Sequence, residues 1–267
     1  MAAAGSFPAL YAVAAAMLGL LVAGVAALVH LATRPPPVSW QAAVERLAAD
    51  SPWRWRDLGW LLVLLAAAQA ARSMLPGALI WDLLAFHGVL AAGIAWRARG
   101  KVRPFGERMC WNQAAGAAAI RWLAALPILW FSAFVWRLAL AAAGHSPDLQ
   151  KSMQLFLDAP DAATRAAFVV FAVGVAPVAE EALFRGILLP LFARRAGAFA
   201  AVAISSLVFA AMHADLGTFA PLAAYACFLS AAFARCGSLR VPVAMHVAFN
   251  AVNLCLLMGL LRAGAPI

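Results

Sequence analysis

The chain has 267 residues, 66% of them hydrophobic and only 12% charged, a balance that excludes an ordinary soluble domain. A formal net charge of +9 would suggest nucleic acid in a soluble protein, but here the arginines gather in short links between apolar runs, where the positive-inside rule places them, so no nucleic-acid partner is expected. The apolar runs approach the ~20 residues of a membrane-crossing helix and lack the ~10-residue alternation of a membrane barrel, so the expected fold is all-α, a polytopic transmembrane helical bundle in a lipid bilayer.

Eight spans are predicted, at 7–32, 58–75, 78–96, 114–142, 166–190, 197–213, 217–234 and 241–261. Residues 1–5 lack the basic region of a cleavable signal peptide, so the first run is read as a span. His30 at its end is expected to be solvated. The stiff link Arg34-Pro35-Pro36-Pro37 leads to 40–50, where Val44 and Leu47 share one side and Glu45, Arg46 and Asp50 another, as in a short helix lying on the membrane surface. The third span holds Asp82 and His87; both are read as structural, Asp82 because an acid suits the positive end of a helix dipole.

Basic residues alternate between links. Residues 33–57 carry four and 97–113 carry five, whereas the link from Gly144, with His145 beside it, to Thr164 sets Asp148, Asp158 and Asp161 against Lys151 alone. The first and third links are therefore expected on the cytoplasmic side, with Arg194, Arg195, Arg235 and Arg240 returning the chain there and both termini facing away. Of the 20 basic residues only Lys101 and Lys151 are lysines, a bias that suggests a GC-rich bacterial genome and hence the bacterial inner membrane. All ten tryptophans fall at or before Trp136, mostly near span ends, as interfacial anchors do. Cys110, Cys227, Cys236 and Cys255 show no paired spacing and are read as packing residues. Residues 1–142 read as an amino-terminal membrane platform, and 165–262 as a second unit holding nearly every intramembrane polar group.

Ionisable groups inside a bilayer cost several kcal/mol and normally face the bundle interior and a partner. Glu181 and Arg185 are spaced i,i+4 with the acid first, the better orientation for a helical ion pair. Glu180 points about 100° away from that pair, leaving one carboxylate structural and the other free. Pro177 removes a backbone donor and is expected to leave the carbonyl of Val173 unpartnered in a kink. Phe209 and His213 share a face at i,i+4, placing His213 to meet Glu180 across a helix interface. Asp215 is read as a cap for the next helix. His246, Asn250 and Asn253 draw a polar stripe down the last span, more than one interhelical hydrogen bond requires. Together these residues supply a carboxylate base, imidazoles and amides, the equipment to hydrolyse an amide with an activated water.

The ordered set Glu180-Glu181-x-x-x-Arg185, Phe209-x-x-x-His213 and His246-x-x-x-Asn250 on successive helices resembles the CAAX prenyl endopeptidase and bacteriocin-processing (CPBP, Abi) family of intramembrane glutamic proteases, over roughly residues 165–260. The resemblance implies that Glu180 is the base, His213 its partner in holding water, and His246 and Asn250 the groups that position water or stabilise the oxyanion. Glu181, Arg185, Phe209 and Asn253 would support them. No cofactor or metal is implied, and the partner is a membrane-associated peptide or protein substrate. Two other readings use the same residues: a zinc metalloprotease, although HExxH is absent, and a proton-coupled transporter. A fourth reading is an inert scaffold. The convergence meets one obstacle: at 1.5 Å per residue, Glu180 and His213 lie roughly 20–27 Å from the nearest loop arginines but His246 only about 9 Å from Arg240.

Overall fold

Long apolar stretches with few helix breakers produce long helices, and the computed structural model, which describes residues 7–74, 79–146 and 150–264, has helices without strands among those residues. In chain order they are α1 (Phe7–Thr33), α2 (Trp40–Asp50), α3 (Trp55–Met74), α4 (Leu79–Ala98), α5 (Trp111–Ala142), α6 (Lys151–Leu157), α7 (Ala162–Val170), α8 (Ala176–Glu181), α9 (Leu189–Met212), α10 (Phe219–Cys236) and α11 (Arg240–Arg262). Two wide, π-helical turns, Phe171–Val175 and Ala182–Leu188, flank α8.

Five stretches of the described residues are long and apolar enough to cross a membrane, where the sequence predicts eight spans. One of the five, Ala162–Met212, covers both the fifth and the sixth predicted spans. It breaks at Gly197 (φ 77°, ψ 172°), a backbone region essentially reserved for glycine, within one residue of the predicted boundary. The second and third predicted spans correspond to α3, where Arg56, Asp57, Gln69 and Arg72 lower the hydropathy, and to α4, of which Leu83–Ala98 is an apolar helix among the described residues. The turn near Pro76, the side chain of Asp82, and Asp148 lie outside what the structure describes.

The two halves of the chain interlock. α1 packs along α5, where a Cβ on Gly24 would come within 2.7 Å of the Leu123 carbonyl oxygen, the acceptor that Pro127 leaves without its helical donor. α5 in turn packs on α10 and α11, α2 on α9 and α10, and α4 on α8. The apolar face of α2, with Val44 fully buried, therefore rests on protein. Trp53 is also buried in the core, and its indole donates to the Pro104 carbonyl at 2.7 Å. Beside it the buried Asp57 receives Lys101 Nζ at 3.2 Å and pairs with Arg97, fastening the α2–α3 link to the end of α4. Cys110, Cys227 and Cys255 are exposed on the protein surface, so packing in the protein interior does not account for them. His30 and His145 are exposed, as expected.

Candidate active site

The site forms where the polypeptide departs from regular α-helix. Ahead of α8 the Phe171–Val175 turn runs in π register, with the Ala176 N–H reaching the Phe171 carbonyl five residues back. In that register the next donor would be Pro177, which has none, so the unpartnered acceptor is the Ala172 carbonyl, one residue before the Val173 carbonyl that α-helical counting predicts. Asn250 Nδ2 donates to that oxygen at 2.7 Å, and the amide of α11 thereby holds the wide turn open beside Glu180.

The two glutamates separate as helical spacing predicts. Glu181 is fully buried, and its Oε1 accepts from Arg185 Nη1 at 3.0 Å and from His246 Nδ1 at 2.8 Å. Arg185 also donates from Nη2 to the Ala226 carbonyl at 3.0 Å, and its guanidinium lies 4.6 Å from the centre of the Phe209 ring. This buried acid, cation and imidazole tie α8, α10 and α11 together. Glu180 retains 19% side-chain exposure and faces a cavity of about 1040 Å³, lined also by His213, His246, Asn250 and Asn253.

The imidazoles are oriented by hydrogen bonds of fixed sense. His213 Nδ1 lies 2.9 Å from the Phe209 carbonyl; a carbonyl only accepts, so Nδ1 carries a hydrogen and Nε2 is the ring nitrogen left for other partners. The anionic pair partner Glu181 imposes the same sense on His246, whose Nε2 then lies 3.9 Å from Glu180 Oε2, beyond a direct hydrogen bond. Phe209, buried at the hub, meets His213 at 4.8 Å, Phe184 at 5.1 Å and His246 at 5.8 Å between ring centres. Asp215 Oδ1 accepts from the Thr218 N–H at 3.2 Å; Thr218 is itself the residue that precedes α10, and no side chain caps the helix's first turn, so Asp215 braces the turn before α10 and does not cap it as expected.

His246 reaches this depth because the α10–α11 link is enclosed by protein. Ser238 is fully buried, Glu107 N–H donates to the Gly237 carbonyl at 2.6 Å, and Leu239 N–H donates to the Phe105 carbonyl at 3.2 Å. The loop 101–109 folds over the link, so residues close to Arg240 in sequence lie inside the bundle. Its Phe105 ring presses on the π turn after α8, where a Cβ on Gly186 would approach Phe105 Cδ1 to 2.7 Å.

Two residues assigned no part by sequence belong to this site. Tyr225, buried on α10, donates to the Met245 carbonyl at 2.7 Å, meets the His246 ring edge-on and stacks on Phe249 at 4.3 Å. An aromatic within a polar-poor span carries no distinguishing signal. His87 on α4 lies with Nε2 3.4 Å from Glu180 Oε1. Its sequence signal, an intramembrane histidine, was visible but had no indicated partner. No group of three His, Cys, Asp or Glu side chains among the described residues is arranged to hold a metal ion.

Residues 162–252 match the family model described as type II CAAX prenyl endopeptidase Rce1-like. No curated protein and no solved structure matches the chain. The matched segment contains the Glu180-Glu181, Arg185, Phe209, His213, His246 and Asn250 positions, so this part of the chain is similar to the Rce1-like endopeptidases of the CPBP family.

Proposed function

We propose that the protein is an intramembrane glutamic endopeptidase that cuts a peptide bond in a membrane-associated peptide or protein, with Glu180 as general base. The observation that carries this reading is that Glu180, His213 and His246 face one cavity while the neighbouring Glu181 is buried, its Oε1 held by Arg185 and His246. In the proposed reaction Glu180 Oε2 takes a proton from a water whose other hydrogen is accepted by Nε2 of His213 or His246. The water oxygen adds to the scissile carbonyl carbon. The second amide hydrogen of Asn250, not used on Ala172, donates to the resulting oxyanion. Glu180 then returns its proton to the departing amine as the C–N bond breaks. Phe209, Asn253, Glu181 and Arg185 shape and support the cavity, and residues 1–142 act as the platform that completes it in a bacterial inner membrane, with eight crossings if α3 and α4 both traverse.

The substrate class follows from the family: a prenylated CAAX-type carboxy terminus, offered as a farnesylated peptide, is the first probe. Comparative mass spectrometry of membrane peptides from cells carrying the wild-type protein or Glu180→Gln tests the reading without presuming the substrate. The expected result is a peptide pair whose cleavage depends on Glu180; identical peptide sets would overturn it. Cleavage that persists after thorough chelation separates this chemistry from a zinc mechanism using the same residues. Solute or proton flux through sealed vesicles, lost in Glu180→Gln, would favour the transporter reading.

A further inference from the structure

His87 lies outside the residues that match the family, on α4, yet its ring reaches the proposed base. Its Nδ1 is 2.9 Å from the Leu83 carbonyl one turn earlier; an oxygen that only accepts requires the hydrogen on Nδ1. The ring is held by edge contacts with Phe86 at 5.2 Å and Phe171 at 4.8 Å between centres, the latter from the π turn ahead of α8. Nε2 then lies 3.4 Å from Glu180 Oε1, with the two side chains only 12% and 19% exposed. Two lone pairs do not face each other at that distance without a proton between them. If Glu180 is to act as a base, that proton resides on His87, and the pair is imidazolium against carboxylate. Long apo contacts of this kind shorten when substrate excludes water.

We propose that His87 is a positioning residue of the catalytic site: its Nε2–H holds Glu180 Oε1, keeps the carboxylate ionised and turned into the cavity, and leaves Oε2, on the His246 side, to take the proton from water. The site is thus completed by the amino-terminal half of the chain. This inference rests on the glutamic-protease reading, and the test keeps the two apart.

Two variants divide ring packing from hydrogen bonding. His87→Phe keeps the contacts with Phe86 and Phe171 and removes the donor; His87→Gln places an amide N–H where Nε2 stood. With the cleaved substrate in lipid nanodiscs, His87→Phe is expected to lower kcat by about tenfold or more with KM within about twofold, and His87→Gln to recover most of the loss. In Glu180→Gln, His87→Phe removes no further activity. Wild-type kcat in His87→Phe, or a His87→Gln variant as slow as the phenylalanine one, overturns the role of His87. Retained cleavage in Glu180→Gln overturns the underlying protease reading instead. A substrate-free measurement accompanies the kinetics. In histidine-selective ¹⁵N spectra of the protein in lipid, the signal lost in His87→Gln belongs to His87; it is expected to read as doubly protonated in the wild type and as neutral in Glu180→Gln. A His87 signal unmoved by Glu180→Gln refutes the contact.

Discussion

Replacing Glu181 with alanine leaves the Arg185 guanidinium, 1% exposed, without the carboxylate that Nη1 meets at 3.0 Å, and leaves His246 Nδ1 without its acceptor at 2.8 Å. Breaking one partner of a buried ion pair typically costs about 3–5 kcal/mol, because the surviving charge stays buried and uncompensated. At roughly 2–4 °C per kcal/mol for a chain of this size, the apparent Tm should fall by about 6–20 °C. The same reasoning predicts an asymmetry. The double variant Glu181→Leu/Arg185→Met removes both charges together, and replacing a buried pair with apolar side chains of similar volume is often close to neutral, so it should regain most of the lost stability. Activity should not follow stability. Both variants free His246 Nδ1, and neither should restore its ring orientation. Thermal unfolding in nanodiscs, followed by tryptophan fluorescence, together with cleavage of the same substrate, reads both quantities. A single variant destabilised by less than about 1 kcal/mol, or a double variant as unstable as the single one, would refute the buried-pair reasoning.

Other expectations follow from specific contacts. Gly197→Ala forces a side chain into φ 77°, ψ 172° and should destabilise the protein by about 1–3 kcal/mol in thermal unfolding, whereas Ala at the neighbouring Arg195 should cost little. Tyr225→Phe leaves the buried Met245 carbonyl without the hydroxyl at 2.7 Å and should cost about 1–3 kcal/mol, measured by the same scans. Gly186→Ala should displace Phe105, whose Cδ1 would lie 2.7 Å from the new Cβ, and should expose the 101–109 loop to limited proteolysis.

Local periodicity made much of the site legible. The Glu181–Arg185 pair, the separate direction of Glu180, and the stripe of His246, Asn250 and Asn253 all depend on residues within two helical turns, and the structure places them as the 3.6-residue period requires. What spacing could not show depends on register or on contacts between distant segments. Counting by four assigned the orphan carbonyl to Val173, but the π turn moves it to Ala172, because a wide turn shifts acceptors by one residue without changing composition. His87 finds only the Leu83 carbonyl within its own helix; Glu180 comes within reach through the packing of α4 against α8. The shallow position deduced for His246 presumes an exposed link, whereas the 101–109 loop bonds to Gly237 and Leu239, and Ser238 and Leu239 are buried inside protein. Hydropathy cannot distinguish a core-facing cysteine from a lipid-facing one, because both surroundings are apolar, and three of the four prove to be exposed. The same limit applies to span counting in α3, where Asp57, buried against Arg97 and Lys101, lowers the hydropathy of a helix it helps to pack.

In the proposed mechanism the Glu180 carboxylate, and not its neighbour, activates water. Single-turnover cleavage of the identified substrate by purified Glu180→Gln in nanodiscs measures this, with an unchanged Tm marking an intact fold. The expected rate is about 100-fold or more below wild type at unchanged substrate binding; cleavage within about tenfold of wild type would contradict the role of Glu180.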